Sequence, residues 1–385
     1  MSKPSLLRPL LYLCLLLGGI LRAVAADIPP LPDLPVRAHV LIDYHSGRVI
    51  ASSHGDDRME PASITKLMSA YVIYEALRDG KIKIGDEVYI SEAAWRTEGS
   101  RMFANVGSRV PLDALLMGMV IQSGNDATVA LAEHVAGSEA TFANLMNKTA
   151  ERLGMKNSHF VNATGLPNPE HYASAHDIAI LARALIHDFP EQYARYSVRE
   201  YAFNNITQHN RNRLLWQDPT VDGVKTGHTS SAGFCLVSSA KREDGRMIAV
   251  VLGAKLEKER FSSSQTLLNY GFSFFESRRL YAASETLAEP RIWFGNTDKL
   301  ALGLAEPLVV TFPKGRYDAL KASVTVDPEI QAPVTQGEVR GKVSVTLDGN
   351  PVAEVPLVAL KTVDEGGFFS RLLDYVLRFF HQLFG

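Results

Sequence analysis

The sequence predicts an α+β domain with a central β-sheet, followed by a small all-β domain and a C-terminal amphipathic helix. Strand-like runs stand at both ends of residues 27–285, with helix-like runs between them. Short β-rich runs separated by turn residues recur over residues 286–362. Residues 363–385 carry apolar side chains at helical spacing. A length of 385 residues agrees with about two domains.

In the first domain, period-2 runs predict strands and 3.6-period runs predict helices. The strands are expected at Val36 to Asp43, Arg48 to Ser52, and residues 221–226, 233–240 and 246–253. The helices are expected at Pro61 to Arg78, Leu112 to Ile121, Ala127 to Val135, Thr141 to Leu153, Ile178 to His187 and Lys258 to Phe275. Ser174 with Asp177 resembles a capping box before the fifth of these helices.

The second domain is expected to contain short strands. Pro307 to Thr311, Lys321 to Val326 and Lys342 to Leu347 are rich in β-branched residues, and turn signals such as Asp348-Gly349-Asn350 separate such runs. This composition predicts a small β domain of its own.

The C-terminal residues predict an amphipathic helix. At about 100° per residue, the large apolar side chains from Phe368 to Phe384 fall within about half of the helical wheel, and the polar ones fall in the other half. The stretch carries too much charge to span a membrane, and it suits a helix lying in the membrane surface after a Gly366-Gly367 hinge. We therefore expect residues 367–385 to contact a membrane. The alternative is a terminal helix that packs on the protein core.

The N-terminal residues 1–26 predict a signal peptide. Lys3 and Arg8 are positive, Pro9 to Leu21 is apolar but too short to span a bilayer, and Ala23-Val24-Ala25-Ala26 offers small residues for cleavage. Export is the expectation, and an uncleaved anchor is the alternative.

The two cysteines predict no internal disulfide. Cys14 lies in the signal region and would leave with it, whereas Cys235 stands alone in an apolar run and is expected to be a core residue.

The overall composition excludes several classes of protein. With 46% hydrophobic and 21% charged residues and a net charge of -2, the chain is neither disordered nor basic enough for a nucleic-acid binder. His-Glu-x-x-His, Gly-x-Gly-x-x-Gly and phosphate-binding loops are absent from the sequence, so neither a metal nor a cofactor is expected.

Ser63-Ile64-Thr65-Lys66 is the first candidate for chemistry. Positions i and i+3 share a helix face, so the lysine can act as the base that a serine nucleophile requires, provided its pKa is lowered. The spacing alone is weak evidence, because Ser238 and Lys241 repeat it. That second pair lies in a predicted strand, where i and i+3 point to opposite faces, and we reject it.

Two further motifs strengthen the first. Ser123-Gly124-Asn125 falls on a short loop between two predicted helices, where both side chains can point into a cleft. Lys225-Thr226-Gly227 lies on a predicted strand, and its glycine allows a ligand to approach the strand closely. The three motifs in this order, each on a suitable element, indicate one catalytic site.

The ordered set Ser-x-x-Lys, Ser-x-Asn and Lys-Thr-Gly resembles the signature of penicillin-binding proteins and serine β-lactamases. The longer string Lys225-Thr226-Gly227-His228-Thr229 is similar to that of low-molecular-weight D-alanyl-D-alanine carboxypeptidases of the penicillin-binding protein 5 and 6 type. The order of signal, transpeptidase-like domain, small β domain and amphipathic helix is similar too, over nearly the whole chain.

The resemblance implies a role for each motif residue. Ser63 would be the nucleophile, Lys66 its general base and Ser123 the proton relay to the leaving amine. Backbone N–H groups of Ser63 and His228 would form the oxyanion hole. The residues implied to bind substrate are Asn125, Lys225, Thr226, Gly227, His228 and Arg260, the last through the terminal carboxylate.

The resemblance also implies a function. The chain would remove the terminal D-alanine from peptidoglycan stem pentapeptides, at the periplasmic face of the inner membrane, and β-lactams would acylate Ser63. The alternatives are a serine β-lactamase, which needs an added carboxylate base for fast deacylation, a transpeptidase, or a non-catalytic penicillin-binding scaffold.

Overall fold

The computed structural model describes residues 28–243 and 245–384, with side chains up to Phe379. The expected signal peptide, residues 1–26, lies outside the described residues. The described residues from 31 to 384 belong to one compact unit.

A five-stranded antiparallel sheet of order β2-β1-β9-β8-β7 forms the centre of the first domain. Its strands are β1 (Ala38–Asp43), β2 (Val49–Ser53), β7 (Val221–Thr229), β8 (Gly233–Arg242) and β9 (Gly245–Ala254). Two antiparallel two-stranded sheets lie outside it, β3 (Glu87–Tyr89) with β4 (Arg109–Pro111), and β5 (Glu200–Phe203) with β6 (Ile206–His209). The strands of the central sheet thus come from both ends of the first domain's sequence, as predicted.

The helices in the described residues lie in the intervening sequence and at the C-terminal end. They are α1 (Lys66–Arg78), α2 (Glu92–Arg96), α3 (Leu112–Met117), α4 (Asn125–Ala136), α5 (Glu139–Leu153), α6 (Ala175–Asp188), α7 (Pro190–Tyr193), α8 (Leu214–Gln217), α9 (Glu257–Phe274) and α10 (Phe368–Phe384). Ser174 caps α6, because its side chain accepts a hydrogen bond from the Asp177 N–H.

Helices cover both faces of the central sheet. Along β1, Val40 and Ile42 join the large core that contains α1 and α6, whereas Leu41 contacts α9 at Gly271. This follows from the alternation of side chains along a strand. Helix α1 is buried along almost all of its length, which is why its sequence is apolar on nearly every face.

The second domain is all-β, which confirms the expected class. Its main sheet has the order β11-β13-β18-β17-β15. The strands are β10 (Phe275–Tyr281), β11 (Thr286–Ala288), β12 (Ile292–Trp293), β13 (Leu302–Gly303), β14 (Leu308–Pro313), β15 (Leu320–Val326), β16 (Ile330–Gln331), β17 (Val339–Leu347) and β18 (Asn350–Ala359). Strand β10 continues directly from α9 and pairs with β14, so it connects the two domains.

Two glycines with positive φ allow the cost of the backbone conformation to be separated from the cost of a steric clash, because only one of them is crowded by neighbouring atoms. Gly165 and Gly154 have φ of 83° and 79°, so alanine at either position should cost about 1–2 kcal/mol of unfolding free energy. A Cβ at Gly165 would also lie 1.8 Å from the Ala62 carbonyl oxygen, whereas among the described residues nothing lies within 4 Å of one at Gly154. We therefore expect Gly165→Ala to destabilise the protein more than Gly154→Ala in urea unfolding. Equal losses would show that the contact with Ala62 is unimportant.

Candidate active site

Ser63 and Lys66 meet at the junction of two helical segments. Ser63 lies in a 3₁₀ turn, Ala62–Thr65, and α1 begins at Lys66. The Lys66 Nζ lies 2.9 Å from Ser63 Oγ. The close contact expected from the i, i+3 spacing is therefore present.

Lys66 is held away from water. Its side chain is 1% exposed and also donates to the Thr164 carbonyl oxygen at 2.7 Å. Burial is the main reason that the pKa of Lys66 falls to about 7, and the positive charge of Arg211 lowers it further. The Glu139 and Asp126 carboxylates oppose this lowering of the pKa. Near neutral pH, Lys66 is thus able to accept a proton from Ser63.

A second lysine–serine pair lies beside the first. Helix α3 ends at Met117 and gives way to a π-helical turn, Gly118–Gln122, so the α-helix expected to reach Ile121 is shorter. Ser123 follows with a left-handed φ of 66°. The Lys225 Nζ donates to Ser123 Oγ at 2.9 Å, and burial holds the pKa of Lys225 well below its ordinary value.

Asn125 begins α4 with a hydrogen-bonding group unused. Its Nδ2 donates to the Glu98 carbonyl oxygen. Its Oδ1 is buried and has no hydrogen-bond partner within the part of the chain that the structure describes. The next residue, Asp126, accepts hydrogen bonds from the backbone N–H groups of residues 102–104, which fixes the loop opposite Asn125. A buried acceptor without a partner is costly, so Asn125 suits a ligand N–H.

The end of β7 forms another wall of the site. Thr226 is buried and His228 is exposed, with its ring stacked on Phe234 at a centroid distance of 4.0 Å. Gly227 lies between them, where a Cβ would meet the Pro61 carbonyl oxygen at 3.0 Å. The glycine therefore allows β7 to lie against the turn that carries Ser63.

Arg260 reaches this wall from α9. Its Nη1 lies 3.4 Å from the Gly227 carbonyl oxygen, and its Nη2 donates to Glu257 Oε1 at 3.0 Å. Burial lowers the pKa of Arg260 to about 10, so the guanidinium is charged at neutral pH. The guanidinium Nε is buried without a partner among the residues described.

These groups surround one open cavity of about 680 Å³. Its lining comes from the nucleophile turn, the loop after α2, the loop before α4, the segment from the end of β6 to α8, strands β7 and β8, and the start of α9. The lining residues are Ser63, Gly99, Ser100, Ser123, His209, Asn210, Arg211, Arg213, Thr226, Gly227, His228, Phe234, Glu257 and Arg260. Lys66, Asn125 and Lys225 lie behind this surface as buried side chains.

Three residues with contacts in the site were not predicted from the sequence. They are Thr164, whose carbonyl binds Lys66, Arg211, whose charge lowers the pKa of both lysines, and Glu257, which pairs with Arg260. Each lies far from the motifs in sequence or has an ordinary sequence context. Their positions depend on loop conformation and tertiary packing, which short-range sequence patterns do not predict.

The second Ser-x-x-Lys pair takes no part in this site. Ser238 is fully buried in β8, whereas Lys241 is exposed. Cys235 is also buried in β8, and burial raises the pKa of its thiol to about 11. Within residues 28–243 and 245–384, no cluster of three His, Cys, Asp or Glu side chains could hold a metal ion.

Two serine–lysine pairs beside the edge of a central sheet define a serine acyl-transfer enzyme of the penicillin-binding class. The model of the D-alanyl-D-alanine carboxypeptidase family matches residues 24–256, and the model of the penicillin-binding protein 5 C-terminal domain matches residues 275–365. The chain therefore belongs to the D-alanyl-D-alanine carboxypeptidase family of serine hydrolases, which confirms the resemblance seen in its motifs.

Individual relatives are similar over most of their length. The D-alanyl-D-alanine carboxypeptidase DacC of Escherichia coli is 44% identical over 92% of this chain and 90% of its own. Penicillin-binding protein 5 of Haemophilus influenzae superposes with a TM-score of 0.83 at 40% identity, covering 88% of this chain and all of that one. An ampicillin-bound penicillin-binding protein D2 of Listeria monocytogenes superposes with a TM-score of 0.59 at 27% identity, covering 63% of this chain and 100% of its own.

Proposed function

We propose that this chain removes the terminal D-alanine from peptidoglycan stem pentapeptides through an acyl-enzyme on Ser63. The observation that carries the chemistry is the 2.9 Å contact between Ser63 Oγ and a buried Lys66 whose pKa is about 7. The substrate class comes from the family, whose curated relatives are D-alanyl-D-alanine carboxypeptidases.

Acylation begins with neutral Lys66. Its amine takes the proton of the Ser63 hydroxyl while Oγ attacks the penultimate D-alanine carbonyl carbon. The backbone N–H groups of Ser63 and His228 stabilise the oxyanion. The proximity of β7 to the nucleophile turn at Gly227 supports this pairing.

Collapse of the tetrahedral intermediate breaks the peptide bond. Ser123 delivers a proton to the leaving amine, and its contact with Lys225 Nζ supports this relay because the lysine can replace the proton. D-Alanine leaves with its new N–H bond. Water then attacks the ester carbonyl and passes one proton through Ser123 to Lys225, while Lys66 returns its proton to Ser63 Oγ as the ester C–O bond breaks.

The substrate is held by groups around the cavity. Asn125 Oδ1 accepts a substrate amide N–H, and Thr226 hydrogen-bonds the terminal carboxylate with help from the charges of Lys225 and Arg260. Gly227 lets the peptide lie close to β7. β-Lactams acylate Ser63 in the same position.

We further propose export to the periplasm and attachment to the surface of the inner membrane through α10. Residues 1–26 support export by their sequence alone. Between Phe368 and Phe379, seven large apolar side chains of α10 are at least 40% exposed. None of the helices in the described residues is long and apolar enough to cross a membrane.

Substituting the nucleophile tests the chemistry. Ser63→Ala should abolish labelling by a fluorescent penicillin and lower D-alanine release by up to about a millionfold, because it removes the hydroxyl that contacts Lys66 and forms the ester. Ser238→Ala is the matched control, since that serine precedes the second Ser-x-x-Lys lysine and is buried away from the cavity. Labelling that survives in Ser63→Ala would overturn the assignment.

A penicillin adduct that lasts minutes or longer distinguishes a carboxypeptidase from a β-lactamase.

The pH dependence of acylation tests Lys66 as the base. The neutral amine is the active form, so the acylation rate should fall below a midpoint near pH 7, by about tenfold per pH unit. Arg211→Gln removes a positive charge that lowers the pKa of Lys66, so the midpoint should move to higher pH.

Arg213→Gln is the control for this shift. Arg213 lines the same cavity but contributes no resolved effect on the pKa of Lys66. Its midpoint should equal that of the parent chain. If Arg211→Gln leaves the midpoint in place, Arg211 does not tune the base.

Deleting residues 367–385 tests the membrane proposal. The truncated chain should remain in solution after centrifugation with membranes and should keep its penicillin labelling, because α10 contacts the β domain and lies outside the catalytic cavity. A truncated chain that still sediments with membranes would contradict attachment through α10 or would indicate an uncleaved N-terminal anchor.

A further inference from the structure

The loop between α5 and α6 supplies the carbonyl group that binds Lys66. The Thr164 carbonyl oxygen accepts a hydrogen bond from Lys66 Nζ at 2.7 Å. Asn162 shapes the turn at this point, because its Oδ1 accepts hydrogen bonds from the N–H groups of Thr164 and Gly165 at 3.2 and 2.7 Å. Gly165 then lies against the nucleophile turn at Ala62. The position of the Thr164 carbonyl therefore depends on the contacts that hold this loop.

The far end of the loop is fixed by a buried histidine that the proposed reaction does not use. Burial lowers the pKa of His171 to about 4, so its ring is neutral near pH 7. Its Nδ1 accepts a hydrogen bond from the Val161 N–H at 3.2 Å, so Nε2 carries the ring proton. This Nε2–H donates to Thr65 Oγ1, which lies 2.8 Å away. His171 thus joins the loop to the residue directly before Lys66.

Glu139, the first residue of α5, holds the middle of the loop. Its Oε1 accepts a hydrogen bond from the Ala163 N–H at 2.9 Å. On the other side of the same residue, the Ser69 hydroxyl donates to the Ala163 carbonyl oxygen at 2.6 Å. Ala163 directly precedes Thr164, and both of its backbone polar groups are engaged. Because a hydrogen bond to a carboxylate is stronger than one between neutral groups, Glu139 is well suited to fix the peptide next to the carbonyl that binds Lys66.

Glu139 also acts on Lys66 through its negative charge. Burial lowers the pKa of Lys66 and Arg211 lowers it further, whereas Glu139 raises it, because an opposite charge favours the protonated amine. The titratable groups that interact electrostatically with Lys66 come from five parts of the first domain, and they are Asp126, Glu139, His171, Arg211 and Lys225. Both oxygens of Asp126 are engaged in holding residues 102–104. Glu139 is therefore the carboxylate whose charge can be changed without loosening the loop beside Asn125.

We propose that Glu139 is a positioning residue for the general base, because its carboxylate holds the Thr164 carbonyl oxygen against Lys66 and also strengthens that amine as a proton acceptor. This inference rests on the proposed acyl-enzyme on Ser63 with Lys66 as its base. A general base works best when its strength matches the pH at which the enzyme operates. Burial and Arg211 alone would leave Lys66 a weaker base, and Glu139 opposes both.

Two substitutions separate the hydrogen bond from the charge. Glu139→Gln keeps an oxygen at the same reach, which can accept from the Ala163 N–H, but it removes the charge. The midpoint of the acylation pH profile should therefore move to lower pH, while the rate above the midpoint stays close to that of the parent chain. Glu139→Asp keeps the charge but is one methylene group shorter. Its midpoint should stay close to that of the parent chain, and its rate above the midpoint should fall by about tenfold.

The measurement is the second-order rate constant of acylation by a fluorescent penicillin, followed across the midpoint near pH 7. Glu151→Gln is the matched control, because Glu151 lies on the same helix, is exposed and makes no resolved contribution to the pKa of Lys66. Its pH profile should equal that of the parent chain. The circular dichroism spectrum of each variant should also match the parent spectrum, which separates a shifted midpoint from a loss of folding.

The outcomes separate the role of Glu139 from the proposed reaction. If the parent chain is acylated with a midpoint near pH 7 and Glu139→Gln has the same midpoint, the charge of Glu139 does not act on the base, although the acyl-enzyme on Ser63 stands. If Glu139→Asp keeps the full rate above the midpoint, the hydrogen bond to Ala163 does not position the base. If acylation of the parent chain does not decline below neutral pH, both Lys66 as the base and the role of Glu139 are wrong.

Discussion

The catalytic chemistry depends on one buried amine. Lys66 has lost nearly all contact with water, and Ser63 Oγ and the Thr164 carbonyl oxygen replace its solvent partners. Withdrawing an ammonium from water disfavours its charged form, which brings the pKa of Lys66 to about 7. An exposed lysine with the same spacing would remain protonated at neutral pH and could not accept a proton from Ser63.

Burial of this amine requires three segments to approach closely. The loop that carries Thr164 reaches the nucleophile turn at Gly165, and strand β7 reaches it at Gly227, with a Cβ at either position crowding the turn. Lys225 adds a second buried amine close to the first, and burial lowers the pKa of both lysines. The positive charge of Arg211 lowers each pKa further, and a protonated Lys66 would also lower that of Lys225, so the two lysines bind protons less tightly than isolated lysines would.

The sequence was sufficient for the motifs and insufficient for what surrounds them. Ser63 and Lys66 could be predicted because local helical geometry brings them together. The two further motifs follow them along the chain in the order typical of the family. Thr164 could not, since it lies 98 residues from Lys66 and acts through its backbone carbonyl. The π-helical turn at Gly118–Gln122 has no propensity signal of its own, so a longer α-helix was expected there. In the second domain, β10 could not be predicted because no turn signal separates it from α9. Its pairing with β14 depends on tertiary structure.

Buried carboxylates are found at three places where separate segments of the chain meet. Asp126 beside the cleft, Asp43 between the domains and Asp374 in α10 are buried carboxylates, and each accepts at least two hydrogen bonds, of which at least one comes from a segment distant in sequence. A buried charge is tolerable only while its partners stay in place, so loosening any of these joints would leave it unpaired at considerable cost. Such groups add little net stability, but any other arrangement of these segments is unfavourable because it leaves the carboxylate buried without its partners. The fixed geometry that a buried Lys66 needs inside the cleft is therefore obtained in the same way as the fixed orientation of α10 on the β domain.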